Sequence, residues 1–431
     1  MQARTDSRLL FDRVVGVCAA YIEFDSSDFS PSSIWLTGYA RRVTNALEAM
    51  LDLDHPVKVS ARDWANATLA DGDTMHARGL VDRSDWQSAA SYGLLGSHAP
   101  RELGGLGIGA VESSLMYEGL GASSADNGLV FAIASQAMAP TKAIANSASP
   151  AQRERWFPAL CDGRLFASFA MSEPGAGSDP WGLTTTATQD EQNGWILNGT
   201  KTWCTLGPIC DVALVFAVTD QSRGQWGITA FIVPADADGM QQGPPIEKSG
   251  FQSCPFGELR FEDCRVDNQA VLGSVGSGAA IFTKIVEQER AFLYAAQIGA
   301  MERVLDLAID FARSRVQAGV HIGTHQSVAN RLVDVKSAHE HARLTLYKAA
   351  ARHDAGLSVG LAGPLTKLAT ADAAISSVLD AIKTLGAQGL TIERGLEREL
   401  RDSLSGLAFS GTPDLARNLV AEQLGLNRRL Q

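Results

Sequence analysis

Residues Phe169 to Asp179 read Phe-Ala-Met-Ser-Glu-Pro-Gly-Ala-Gly-Ser-Asp. The first half is an apolar, strand-like run that breaks at Pro174, and two glycines and a serine follow within four residues. Glycines at such a break let backbone N–H groups approach a ligand closely. A second run, Trp203-Cys204-Thr205, puts an aromatic plane and a hydroxyl on what reads as a neighbouring strand, after an Asn198-Gly199 hairpin signal. A plane, a hydroxyl and bare backbone together suit a flat heteroaromatic cofactor. Without its echo, the Gly-Ser-Asp loop is equally well explained as a turn of the chain.

The same run marks a change of hydrophobic period. Before it, helical spacing covers residues 6–24, 33–53, 86–95, 110–121 and 128–146, with a further short helix opened by Ser149-Pro150. From Phe166 to about Gly273 the chain reads as strands, with 212–218 and 227–233 as apolar runs and Glu258-Leu259-Arg260-Phe261 alternating. From Ser277 it is helical again, over about 279–315, 327–355, 364–386 and 411–424. These lengths and apolar stripes suit an antiparallel four-helix bundle. The expected fold class is α+β, with an all-α domain over 1–165 that carries an atypical leading segment, a β-domain over 166–275 and a helical bundle over 276–431. A chain of 431 residues has room for that many domains.

The formal charge of −11 argues against non-specific nucleic-acid binding and gives no support to an anionic membrane surface. No apolar run approaches the length that spans a bilayer, and Asp6 and Asp12 precede the short apolar run 14–22, which argues against a secretory signal. The six cysteines form no C-x-x-C pair, which fits a reduced, cytoplasmic setting. No histidine spacing points to a metal; His321 and His325 lack an acidic partner.

Glu289 is the candidate catalytic side chain. Its helical neighbours at three and four positions either side are Ile285, Val286, Phe292 and Leu293, whereas Glu287 sits with Thr283, Lys284 and Arg290 on a polar face. A carboxyl in an apolar wall is costly when charged, which raises its pKa toward the range of a general base. The pattern alone leaves open a buried glutamate paired to an arginine or a helix end.

The Phe169–Asp179 string resembles the flavin-binding signature of the acyl-CoA dehydrogenase family, and Trp203-Cys204-Thr205 is similar to that family's Trp-Ile-Thr. Pro100 to Gly107 resembles its Pro-Glu-x-x-Gly-Gly-x-Gly loop, and the likeness runs from about Asp85 to the C-terminus. The resemblance implies FAD as cofactor, held by Phe169, Met171, Ser172, Gly177, Ser178, Trp203 and Thr205. It implies that Ser178 also faces the pantetheine arm of the substrate. Arg315-Val316-Gln317-Ala318-Gly319 resembles the family's Arg-x-Gln-Phe-Gly, which reaches the FAD of a neighbouring subunit; Ala318 replaces the aromatic. Gln326, Gly386 and Thr412 match further cofactor positions, although Lys383 and Ala387 depart from the pattern around Gly386. A shared site implies a homodimer or homotetramer.

Most members of this family carry their base near the C-terminus, in Tyr-Glu-Gly-Thr. Here that stretch is Phe409-Ser410-Gly411-Thr412. A serine cannot take an α-proton without an activating partner. A minority, isovaleryl-CoA dehydrogenase among them, place the base on the helix that Glu289 occupies, and their Glu-Arg pair looks like Glu289-Arg290. The resemblance therefore implies Glu289 as base, Arg290 beside the substrate, and the backbone N–H of Ser410 as donor to the thioester carbonyl. The implied reaction is α,β-dehydrogenation of an acyl thioester of coenzyme A or of a carrier protein, with an electron-transfer flavoprotein or oxygen as acceptor. Two other readings stay open: a flavin oxidase or monooxygenase on the same fold, and a catalytically silent FAD-binding protein.

Overall fold

The computed structural model describes residues 47–50, 52–190 and 194–426. The helix expected over 6–24, most of that over 33–53, and Cys18 lie outside the described residues.

The N-terminal part is helical: α1 (Pro56–Thr68), α2 (Gly72–Arg78), α3 (Arg83–Ser91), α4 (Ala110–Ala122), α5 (Asn127–Gln136), α6 (Lys142–Ser147) and α7 (Pro150–Cys161). Helix starts follow local chemistry. Asp82 opens α3 and Ser149 opens α7, each with a reciprocal capping box, and Asp126 accepts from the Leu129 N–H at the start of α5. Between α5 and α6 the helix widens into one π turn, Ala137–Thr141, around Pro140. Proline has no N–H for the α-helical ladder, so the ladder loosens where it sits. The whole run Asn127–Ser147 is long and apolar enough to cross a membrane, contrary to the sequence expectation, but all of it is buried inside the fold. Its apolarity serves the core.

The middle part is one twisted sheet of β1 (Ala167–Ala170), β2 (Thr186–Gln189), β3 (Gly194–Thr205), β4 (Val212–Val218), β5 (Ile228–Pro234), β6 (Met240–Gln242), β7 (Phe256–Asp267) and β8 (Val271–Leu272). The strand order is β6-β7-β3-β2-β4-β5-β8, with β1 also paired to β4. Every residue of β4 is buried. Val212, Leu214, Phe216 and Val218 join a cluster with helices α6 and α7, while Ala213, Val215 and Ala217 face Trp195, Leu197 and Phe231 on the other side.

Asn198-Gly199 does not make the expected hairpin. It lies inside the continuous strand β3, at a register shift against β7 between Leu197 and Gly199. Gly199 has φ +147° and its hydrogen faces Thr185, where a Cβ would come within 2.5 Å of the side-chain oxygen. The glycine is required for a bulge and a close approach rather than for a turn.

The C-terminal part contains α8 (Gly278–Phe292), α9 (Tyr294–Ser314), a small hairpin of β9 (Val316–Gln317) and β10 (Val320–His321), then α10 (Gln326–Asp354), α11 (Ala362–Leu385), α12 (Leu396–Ser403) and α13 (Pro413–Gln423). The single helix expected over 279–315 is interrupted only at Leu293, which keeps helical dihedrals. Helices α9, α10 and α11 pack on one another, and α13 adds a fourth against α11. Helix α12 was not foreseen. The expected α+β architecture, helical then β then helical, is the observed one.

Candidate active site

The signature loop is positioned by the sheet. Strands β1 and β2 both lie along β4, so the chain from Met171 to Thr185 has to leave the sheet and return. Glu173 and Ala176 exchange two backbone hydrogen bonds across the Pro174-Gly175 corner. Glu173 is buried and holds the loop's base. Its carboxylate accepts from the N–H of Thr184 at 2.7 Å and of Thr185 at 3.0 Å, and pairs with Lys201 of β3 at 2.8 Å. Burial pushes this carboxyl up, but the Lys201 charge and the hydrogen bonds prevail and hold it down at about 2. Lys201 also donates to the Met171 carbonyl at 3.1 Å, and Thr202 N–H donates to the Ser172 carbonyl at 2.9 Å. Gly175 and Gly177 are exposed, with nothing within 4 Å of where a Cβ would stand.

Trp203 sits beside this loop in a second bulge of β3, between Lys201 and Cys204. Its φ of +56° turns the indole out of the sheet, and the residue is 59% exposed. A large aromatic held in a strained backbone conformation and left open is unexplained by packing. Thr205 is half-buried at the end of the same strand. Phe169 stacks on Phe282 of α8, with ring centroids 6.2 Å apart, which joins the signature strand to the helix of Glu289.

Glu289 is buried as its helical period requires, at 8% exposure. Its carboxyl makes no hydrogen bond among the described residues. Burial raises it to about 7, with the neighbouring Arg290 charge opposing. Arg290 donates from Nε to the Ser410 carbonyl at 3.2 Å, so the base helix and the Phe409-Ser410-Gly411 segment are tied together. Ser410 has φ +54°, and its hydroxyl is buried with no partner among the described residues. Phe409 stacks near Phe131 of α5 and Tyr294 of α9, at 5.1 and 4.7 Å between centroids. A cavity of about 40 Å³ lies behind it, lined by Phe131, Phe251, Leu293, Gln297 and Phe409. Its far wall is acidic: Asp402 accepts from the Phe251 N–H at 2.7 Å, and burial together with Glu399 and Asp126 pushes it up to about 7.

The structure thus forms two groups. Phe169, Met171, Ser172, Gly177, Ser178, Trp203 and Thr205 cluster around the end of β1 and β3, while Glu289, Arg290 and Ser410 cluster at α8 and the α12–α13 connection. The remaining candidates stand elsewhere. Arg315 and Gln317 are exposed on the β9–β10 hairpin, and Gln326 is exposed at the start of α10. Gly386, at φ +60°, ends α11. Thr412 caps α13, accepting from the Leu415 N–H at 3.2 Å.

Three models of one family match consecutive stretches: the acyl-CoA dehydrogenase N-terminal domain over residues 55–164, its middle domain over 168–264 and its C-terminal domain over 276–425. An L-prolyl-[peptidyl-carrier protein] dehydrogenase of Serratia sp. (strain ATCC 39006) is 34% identical over 83% of this chain and 92% of its own length. The chain belongs to the acyl-CoA dehydrogenase family. Rice mitochondrial isovaleryl-CoA dehydrogenase (Oryza sativa subsp. japonica) is 31% identical over 90% of this chain and 95% of its own. Among solved structures, PigA with FAD and proline superposes with a TM-score of 0.83 at 33% identity, covering 86% of this chain and 97% of that one. The prolyl acyl carrier protein oxidase AnaB gives 0.82 at 34% identity, covering 90% and 99%. As a member of this family, the protein is a flavin oxidoreductase acting on acyl thioesters.

One buried residue beside these candidates of the acyl-CoA dehydrogenase chain escaped sequence reasoning. Lys367 of α11 is fully buried beneath the Phe409-Ser410 segment. Burial, reinforced by the Arg290 charge, lowers its ammonium to about 7. Its burial leaves a local trace, since Gly363, Pro364, Thr370 and Ala371 at helical spacing around it are small or uncharged, but its carbonyl partners leave none.

Proposed function

We propose that Glu289 is the catalytic base, in the isovaleryl-CoA dehydrogenase-like position on the long helix, and that the substrate is a compact acyl group carried as a thioester on a carrier protein. The observation that carries the first part is a buried carboxyl, raised to about 7, without a hydrogen-bond partner among the described residues, one residue from the arginine that holds Ser410. A structural glutamate at such a depth is normally paired. An unpaired one near pH 7 suits proton abstraction at a carbon next to a carbonyl. The prolyl group named for the Serratia relative's substrate supports a compact acyl group. The carrier-bound prolyl substrate named for the Serratia relative supports the carrier over coenzyme A, which is the comparison arm of the test.

FAD is the cofactor, as in PigA. The residues present fit it. The glycine-bearing loop is open where backbone has to approach a ring or pyrophosphate, and the exposed Trp203 offers a plane to cover. Bound FAD supplies the two-electron acceptor for hydride leaving the β-carbon. This chain supplies the rest. Glu289 removes the α-proton, and the Ser410 N–H, which donates to no acceptor among the described residues, stabilises the thioester oxygen as negative charge grows on it. Arg290 keeps Ser410 beside the base. Phe131, Phe251 and Phe409 exclude water from the acyl group. Arg315 and Gln317, exposed on their hairpin, are proposed to reach the cofactor of a second copy of the chain.

The test is anaerobic bleaching of the bound flavin by prolyl and short acyl thioesters, each on a carrier protein and on coenzyme A. Wild type is expected to bleach. Glu289→Gln is expected to keep its flavin and to bleach about 10²–10⁴-fold more slowly. A variant as fast as wild type removes Glu289 from the mechanism. Equal rates with both carriers remove the carrier preference.

A further inference from the structure

The Lys367 ammonium donates to the Tyr294 hydroxyl at 2.5 Å, the Gly406 carbonyl at 3.0 Å and the Phe409 carbonyl at 2.9 Å. These use all three of its protons on neutral oxygens. No carboxylate pairs with it among the described residues. A fully buried cation without a counter-ion is unfavourable for stability, so its placement calls for another explanation.

The geometry of the segment provides one. The Phe409 carbonyl and the Ser410 N–H belong to one peptide unit, and no described peptide is cis. In a trans peptide these two groups point in opposite directions. Lys367 draws the carbonyl inward, so the Ser410 N–H faces away from the protein interior that Lys367 occupies. Arg290 takes the next carbonyl, that of Ser410, at 3.2 Å. Ser405 takes the N–H groups of Ala408 and Phe409 on its carbonyl, at 3.0 and 3.3 Å. The carbonyls on either side of the Ser410 N–H are thereby engaged, while that N–H donates to no acceptor among the described residues. The φ of +54° at Ser410, unfavourable for a non-glycine residue, is held by the same bonds.

We propose that Lys367 is a positioning residue: by fixing the Gly406 and Phe409 carbonyls it aims the Ser410 N–H at the thioester carbonyl. This rests on the dehydrogenase reading above. It assigns to Lys367 no contact with substrate.

The experiment uses the FAD-loaded enzyme and its Lys367→Met and Lys367→Arg variants. Two rates are compared. One is anaerobic flavin reduction by an active acyl thioester. The other is exchange of the α-hydrogen with D2O in an acyl thioester that has no transferable β-hydrogen, which isolates the deprotonation step. Lys367→Met is expected to slow both about 10²–10³-fold, the loss of one oxyanion donor. Its FAD content is expected to match wild type, with KM moving by no more than about threefold. Lys367→Arg, which keeps the charge and several donors, is expected to recover at least about tenfold of that loss.

Exchange in Lys367→Met at the wild-type rate overturns the proposal, whether or not flavin reduction is slow. Loss of FAD or of cooperative melting in both variants assigns Lys367 to the scaffold and overturns it as well. A wild-type enzyme that neither exchanges nor bleaches overturns the dehydrogenase reading, and this proposal with it.

Discussion

Lys58 and Lys367 are both fully buried lysines, and their surroundings are opposite. Lys58 of α1 lies 2.5 Å from Glu302 and 3.4 Å from Glu118. Glu118 is also held by Arg343 at 2.7 Å and by the Tyr347 hydroxyl at 2.5 Å. Two cations face two anions, and every charge has an opposite within reach. His339, buried beside them, is pushed down to about 3 by burial and by the cations Lys336, Arg343 and Lys58, so it stays neutral. Glu118, Glu302 and His339 are near enough to share a metal ion, but the Lys58 ammonium already contacts both carboxylates. Around α8 and α11 the pattern reverses. Among the described residues Glu289 has no hydrogen-bond partner and Lys367 has only neutral oxygens, and each is shifted toward its uncharged form. Compensated charge joins α1, α4, α9 and α10. Uncompensated charge lies where the proposed reaction has to handle protons and developing charge.

The comparison fails if the two regions respond alike to loss of charge. Glu118→Gln leaves Lys58 and Arg343 short of a counter-ion in the interior. It is expected to cost about 3–5 kcal/mol of stability, read from urea unfolding, while flavin reduction by the folded fraction stays at the wild-type rate. A loss of activity without a loss of stability would move Glu118 out of the scaffold.

Glu289→Gln should do the reverse and raise stability. The folded-state pKa of about 7 lies above the ordinary carboxyl value of 4.5. Between those values the folded chain binds a proton that the unfolded chain releases, so the glutamate's contribution is fully present below the unfolded value. It is lost as pH rises through about 7. Glutamine does not titrate. The variant's advantage in melting temperature is therefore expected to grow from about pH 4.5 and level off above about pH 7, at roughly 3 kcal/mol at most. If Glu289 is the base as proposed, the same titration makes wild-type kcat/KM rise through that range, because only a deprotonated carboxyl accepts the α-proton. A flat stability difference between the two proteins would show that Glu289 ionises as an ordinary carboxyl.

What the sequence disclosed of this contrast follows from the range over which each signal acts. Glu289 was legible because helical period is local: four apolar neighbours within four residues report its burial. The helical, β, helical order was legible for the same reason. Lys367 was not singled out, because its carbonyl partners lie 39 and 42 residues away and carry no side-chain signature. Gly199 was misread because a glycine needed for a close approach to Thr185 is written like a glycine needed for a turn. Trp203 was found by its motif, but its exposure comes from a bulge that only the pairing of β3 with β7 reveals.

The contrast extends to uncharged groups in the C-terminal stretch, and there the expected effect is smallest. Ser410 and Thr412 stand two residues apart and both carry hydroxyls. That of Ser410 is buried without a partner among the described residues, while that of Thr412 accepts the Leu415 N–H and caps α13. The family resemblance gave Thr412 to the cofactor, yet its side chain is already employed. Thr412→Ala is expected to lower stability by about 1 kcal/mol, and Thr412→Ser to restore it, because serine caps equally well. If capping is the whole role, FAD content and bleaching rate stay constant across all three proteins. A fall in FAD affinity in Thr412→Ala that exceeds the change in melting would show that the hydroxyl serves both the helix and the flavin, and that a satisfied side chain at this site does not imply a purely structural one.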